Sequence, residues 1–181
     1  PLYHFEAKET VKSIVSFGYD KTISTGSMSK AFSLAGLRVG WIVTKNADFI
    51  DGFWEKRDYN TISVLMLDDY VASIALQNVD RILKRNHAIC QKNLELLQAF
   101  VDNNNEKVSW VRPRGGSTCF IKLDIGITSM EFAEELIAKY KTLVVPGEVF
   151  GSEGWLRIGF GNSTHDIEEG IKCLGKLLKK Y

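Results

Sequence analysis

Ser27-Met28-Ser29-Lys30-Ala31-Phe32-Ser33-Leu34-Ala35-Gly36-Leu37-Arg38-Val39-Gly40 is the stretch that decides how this chain is read. It sets one lysine among small hydroxyl residues, follows it with Arg38, and flanks that arginine with Gly36 and Gly40. A lysine–arginine pair among serines and glycines suits an anionic ligand that is both held and chemically attacked. Guanidinium and hydroxyl groups donate to an anion, while an amine attacks a carbonyl carbon. The amine attacks only when neutral, so Lys30, near a cation and partly desolvated, is expected to have a lowered pKa. The plainer alternative is a surface lysine and a structural arginine in a Ser-rich turn.

Working outward, Lys21–Thr25 is short and β-branched and is expected to be a strand leading into the Gly26-Ser27 turn. Val39–Thr44 is a second expected strand, whose apolar run implies burial on both faces. From Asn46 to about Phe100 the pattern is helical. Asn46 can cap a helix running to about Glu55, and another is expected from about Ser63 to Gln77. Beyond Asp80, residues Cys90, Leu94, Leu97 and Val101 fall on one stripe of a long helix, which Asp102-Asn103-Asn104-Asn105 should end.

After that turn the texture alternates. Val108–Val111 and Thr118–Leu123 are expected strands around Arg112-Pro113-Arg114-Gly115-Gly116. Thr128-Ser129-Met130-Glu131 matches a capping box for a helix to about Tyr140. Thr142–Val145 and Trp155–Phe160 are further strands, and acids at 166, 168 and 169 open a last helix with Ile167, Ile171, Leu174 and Leu178 buried. The order β-β-α-β-β-α is a compact α+β unit. In the strand 155–160, alternation puts Leu156, Ile158 and Phe160 on one face and Arg157 on the other with Trp155 and Gly159. A charge on such a strand needs an anionic partner. The choice lies between an ordinary salt bridge and a bound anion.

Composition narrows the classes. The 181 residues suit one domain, or one domain and part of another, and 45% hydrophobic residues suffice for a core. Lys and Arg number 23 against 22 Asp and Glu, so charge gives no case for nucleic acid or a membrane surface. Cys90, Cys119 and Cys173 have no metal or redox spacing and read as thiols in a reducing compartment. His4, His87 and His165 are scattered without ligand spacing, so no metal site is expected. No apolar run is long enough to span a bilayer and no secretory signal opens the chain, which makes a cytoplasmic location the expectation. The opening Pro1-Leu2-Tyr3-His4-Phe5 lacks an initiator Met, and the chain is expected to be a fragment.

An anionic ligand whose aldehyde must meet an amine is pyridoxal phosphate. Ser27-x-Ser29-Lys30-x-x-Ser33-Leu34-x-Gly36-x-Arg38-Val39-Gly40 resembles the cofactor-attachment signature of class I/II aminotransferases, the fold-type I pyridoxal-phosphate enzymes. The similarity continues to the C-terminus. It implies an α/β fold: the C-terminal portion of a fold-type I transferase, with residues 1–78 ending the large mixed-sheet cofactor domain and 79–181 forming a linking helix and a small α+β domain. It implies that Lys30 carries the cofactor as a Schiff base and moves the proton at substrate Cα. Ser27 and Arg38 would hold the phosphate with Ser29 as helper, and Arg157 would grip the substrate α-carboxylate. Tyr3 would bond the cofactor's phenolic oxygen, with a packed core tyrosine as the alternative. The family's acid for the pyridine nitrogen would fall before residue 1, so the chain alone is expected to be inactive. Arg57, Asp58, Tyr59 and Asn60 lie where such enzymes line the substrate pocket or the dimer contact.

The implied function is transfer of an amino group between an amino acid and a 2-oxo acid by a homodimer, without nucleic acid or membrane partners. Alternatives on the same fold are a lyase, a decarboxylase, a cyclising synthase, or the ligand-sensing domain of a transcription regulator.

Overall fold

In a computed structural model of the chain, residues 12–181 are described. They divide into two compact units, one running through Asn86 and one from His87 to Tyr181.

The first unit holds β1 (Ser24–Ser27) and β2 (Gly40–Val43), which pair antiparallel with Ser27 opposite Gly40 and Ser24 opposite Val43. β1 begins later than Lys21 because the amide and hydroxyl of Thr22 both donate to the Tyr19 carbonyl, at 3.2 and 2.9 Å, and so form a turn. Next come α1 (Ala47–Asn60) and α2 (Met66–Gln77). Asn46 caps α1 as its sequence implied, its side-chain oxygen accepting from the Phe49 amide at 3.0 Å. α2 starts at Met66 rather than Ser63, since Ile62 adopts φ +53 and breaks the helical path. α2 packs on the 3-10 turn Ala35–Leu37 and buries Ala72 and Ala75.

One expectation fails here. β2 was expected to be buried on both faces, yet all four of its residues are exposed. Among the described residues β1 is its only strand partner. An apolar run reports surface that gains by being covered; it does not report whether a cover is present.

The helix α3 (Val79–Asp102) begins in the first unit and continues into the second. In the second unit follow β3 (Val108–Trp110), β4 (Thr118–Leu123), α4 (Ser129–Tyr140), β5 (Val145–Pro146), β6 (Trp155–Gly159) and α5 (Thr164–Leu178). The four strands form an antiparallel sheet in the order β3-β4-β6-β5. One face of it is buried: Ile121 and Leu123 from β4 and Leu156 and Ile158 from β6 meet Leu94, Leu97, Phe132, Leu136, Leu174 and Leu177. This is the two-layer α+β arrangement that the element order implied.

Local chemistry fixes the boundaries. Thr128 and Glu131 form the full capping box of α4, each side chain accepting from the other's backbone amide, at 3.1 and 2.9 Å. The Asn104 side-chain Nδ2 donates to the Phe100 carbonyl at 2.7 Å where α3 ends. β5 is only two residues long. Lys141 caps α4 in the left-handed region (φ +53) and the Thr142 hydroxyl turns back to the Tyr140 carbonyl, so the chain meets β6 only at Val145 and Pro146. Asn93, fully buried on α3, donates from Nδ2 to the carbonyls of Phe160 and Asn162 at 3.0 and 2.9 Å, fastening the end of β6. Its Oδ1 has no partner among the described residues.

Candidate active site

The segment between β1 and β2 closes on itself. The Met28 amide donates to the Val39 carbonyl at 3.0 Å, Leu34 to the Met28 carbonyl at 3.1 Å, and Ser33 to the Lys30 carbonyl at 3.2 Å. Met28 and Ala31 are each 1% exposed, and they stand on either side of Lys30, whose side chain is exposed. The buried pair anchors the turn so that the amine between them is presented outward. Asn86, at the far end of the first unit's sequence, donates to the Ala31 carbonyl at 2.8 Å and fixes the same turn. Phe32 packs edge-on to Trp41 of β2, with ring centroids 6.4 Å apart.

The pairing of Ser27 with Gly40 brings the β1 end of the loop beside the segment that carries Arg38. A side chain at position 40 would place its Cβ 2.8 Å from the Gly26 carbonyl oxygen, so glycine permits this close approach. Arg38 itself sits in the left-handed region at φ +51, uncommon for a residue with a side chain, and its Nη1 donates to the Ala35 carbonyl at 2.9 Å. That bond uses one of five guanidinium donors and leaves the rest of an exposed fork available. The Ser27 hydroxyl oxygen accepts from the Ser29 amide at 3.3 Å. Its proton has no acceptor among the described residues.

Lys30, Ser27, Ser29 and Arg38 are therefore gathered on one short, hydrogen-bonded loop. The partial desolvation expected of Lys30 is not found, because its side chain is exposed. An exposed amine, a guanidinium with donors to spare and a free hydroxyl proton suit a phosphorylated aldehyde in kind: the amine can meet its carbonyl, and the other two can hold its phosphate. Tyr3 and His4 lie outside the described residues.

Sequence reasoning missed Asn86, since a contact between positions so distant leaves no local signal. The buried Met28 and Ala31, by contrast, could have been read as the apolar brackets of an exposed lysine.

Arg57 lines an apolar groove of about 580 Å³ in the first unit, with Trp41, Ile50, Phe53 and Trp54 among its walls. Its guanidinium lies 4.7 Å from the centroid of the Trp54 ring. Asp58, Tyr59 and Asn60 are exposed, and neither Lys30, Ser27 nor Arg38 lines this groove.

In the second unit, Arg157 stands on the open face of β6 as alternation implied, with Leu156 and Ile158 buried behind it. No carboxylate pairs with it among the described residues. Its guanidinium lies 5.7 Å from the centroid of the Phe150 ring. Gly116 adopts φ +87 in the turn before β4. The thiols of Cys90 and Cys119 are buried, and burial pushes Cys119 up to about 12. Among the described residues no group of His, Cys, Asp and Glu is placed to hold a metal ion, and no helix is long and apolar enough to cross a membrane.

Comparison with known proteins shows the family. The family model of aminotransferase class I and II matches residues 5–174. Capreomycidine synthase of Streptomyces vinaceus is 31% identical over 159 residues, covering 88% of this chain and 41% of that protein. Among solved structures, a PLP-dependent aminotransferase from Streptococcus suis aligns with a TM-score of 0.86 at 34% identity, over 90% of this chain and 43% of the other. The PLP-dependent cyclase OrfR aligns with a TM-score of 0.81 at 30% identity, over 87% and 43%. The chain thus spans about two-fifths of the length of these relatives. On the match across residues 5–174 and the fold it shares with these structures, the chain belongs to the class I and II aminotransferases.

Proposed function

We propose that this chain carries the lysine-bearing part of a pyridoxal-phosphate enzyme that moves an amino group between an amino acid and a 2-oxo acid. The single observation behind this is the closed loop 27–40, which presents Lys30 outward between buried Met28 and Ala31 and keeps Ser27 and Arg38 with donors unspent. When bound, the cofactor supplies an electron sink for the bond broken at the substrate's Cα. Lys30 would hold it through Nζ and would move the proton at the substrate's Cα. Arg38 and Ser27 bind its phosphate, with Ser29 as helper. Arg157, on an open sheet face and without an acid partner among the described residues, binds the substrate α-carboxylate as a two-pronged donor. Tyr3 is assigned to the cofactor's phenolic oxygen.

In this reading residues 1–78 end the large cofactor domain and 79–181 are the linking helix and small domain. The complete enzyme is a cytoplasmic homodimer, and the 181 residues alone do not turn over efficiently.

A second reading keeps the cofactor and changes the outcome to a cyclising synthase. It is supported by the names of two relatives at or above 30% identity, capreomycidine synthase and the cyclase OrfR.

The test is borohydride reduction after addition of pyridoxal phosphate, followed by peptide mapping. The cofactor mass should sit on the peptide containing Lys30 and vanish in Lys30→Ala. Label spread over surface lysines and unchanged in that variant would sink the assignment. An amino-donor screen of the full-length enzyme, with products identified, separates transamination from cyclisation.

A further inference from the structure

Two large aromatic side chains of the second unit lie outside its core. Phe120 is 38% exposed and Phe150 is 49% exposed. Both adjoin Arg157. Phe120 is its direct cross-strand partner, and the guanidinium lies 5.7 Å from the Phe150 centroid. The two rings meet edge to face, with centroids 5.6 Å apart and planes at 82°. Phe120 thus presents its edge to Phe150 or receives it, and the pair is braced in the geometry aromatic quadrupoles favour.

The turn carrying Phe150 is itself held rigidly. The 3-10 turn Gly147–Phe150 is tied to the start of α4 by Glu148, whose carboxylate accepts from the Ser129 hydroxyl at 2.6 Å and the Met130 amide at 3.2 Å. Ser129 is fully buried and also accepts from the Gly154 amide at 3.1 Å. At position 147 a Cβ would fall 2.0 Å from the Ser152 carbonyl oxygen, so this turn sits directly against the approach to β6.

We propose that Phe150, braced by Phe120, is a positioning residue that pre-orders the Arg157 guanidinium for the substrate carboxylate. This rests on the carboxylate role given to Arg157 above. A long side chain with no acid partner among the described residues otherwise samples many rotamers, and that freedom is lost when a carboxylate binds. A ring face beneath the guanidinium removes part of the loss beforehand and leaves the fork edge free, since a cation–π contact uses the flat face and a bidentate carboxylate uses the edge.

The experiment compares Phe150→Leu, Phe150→Tyr, Phe120→Leu and Arg157→Gln in the full-length enzyme loaded with pyridoxal phosphate. It reads KM and kcat for both amino donor and oxo acid, and the inhibition constant of succinate as an unreactive carboxylate. In Phe150→Leu, KM and the succinate constant should rise about two- to fivefold with kcat nearly unchanged, and Phe150→Tyr should restore them. Phe120→Leu should move both constants the same way by less, which keeps the test open if Phe150→Leu folds poorly. If Arg157→Gln weakens carboxylate binding while Phe150→Leu and Phe120→Leu do not, the positioning role is overturned and the Arg157 assignment stands. If Arg157→Gln changes neither constant, the Arg157 assignment falls and this inference with it.

Discussion

The two units are of similar length but hold themselves together differently. Among the described residues through Asn86 the buried apolar side chains are Met28, Ala31, Ala72 and Ala75, none of them aromatic or branched. From His87 onward, leucines, isoleucines, valines and phenylalanines from α3, β3, β4, α4, β6 and α5 share one core. The first unit leaves Trp41, Ile42, Trp54, Leu65 and Met66 exposed, while its Lys30 loop is fixed by backbone hydrogen bonds and by buried Met28 and Ala31. The lesson is that a site loop and a stable core are separable demands. The loop needs a defined path and free donors; the core needs apolar area removed from water.

That contrast can be broken most directly at Phe132, fully buried in the second unit. Phe132→Ala should cost about 3–5 kcal/mol, from transfer and cavity together. Ile42→Ala, at an exposed position of β2, should stay within about 0.5 kcal/mol in the same chain. Urea unfolding of both variants checks the pair, and equal losses would mean that β2 is covered in solution.

Next in size is Asn93→Leu. It removes two hydrogen bonds to carbonyls beyond β6, the one at Phe160 buried, and should cost about 1–3 kcal/mol, with exchange protection falling first at residues 158–162. Unchanged protection there would show that the end of β6 is held by packing alone.

A smaller effect is expected at Glu135. Its carboxylate accepts from Lys139, Lys180 and the Tyr181 hydroxyl, and these donors hold it down to about 2. The folded value lies below the ordinary carboxylate value of 4.5, so this contribution is fully present above pH 4.5 and lost as pH falls toward 2. Thermal melts between pH 6 and 2 should show a shallower acid decline in Glu135→Gln than in the parent. Identical slopes would place the acid sensitivity elsewhere.

The smallest effect sharpens the comparison at the thiols. Maleimide should label half-exposed Cys173 in the native protein, whereas buried Cys90 and Cys119 should react only on unfolding.

Much of this was legible in the sequence where the signal is local or periodic. The Thr128–Glu131 box, the stripe Cys90-Leu94-Leu97-Val101 and the alternation around Arg157 depend on spacing alone, and each appears in the structure. The loop with Lys30 was legible through its pattern of residue types. What sequence did not show depends on distant partners. The exposure of β2 depends on what lies over it, the short β5 on a left-handed Lys141, and the ring under Arg157 on a turn from another element. The exposed Lys30 belongs with these, because its environment is set by Met28, Ala31 and Asn86 rather than by charge in the neighbouring sequence.

The closed path of residues 28–39 also has a consequence for proteolysis. A protease needs several residues in an extended, unpaired conformation, but the bonds from Met28 to Val39 and from Leu34 to Met28 forbid this around Lys30. Trypsin can therefore cut after this exposed lysine only when the loop opens, and its cutting rate measures how often that happens. Lys30 thus doubles as a built-in reporter of loop opening that needs neither cofactor nor substrate.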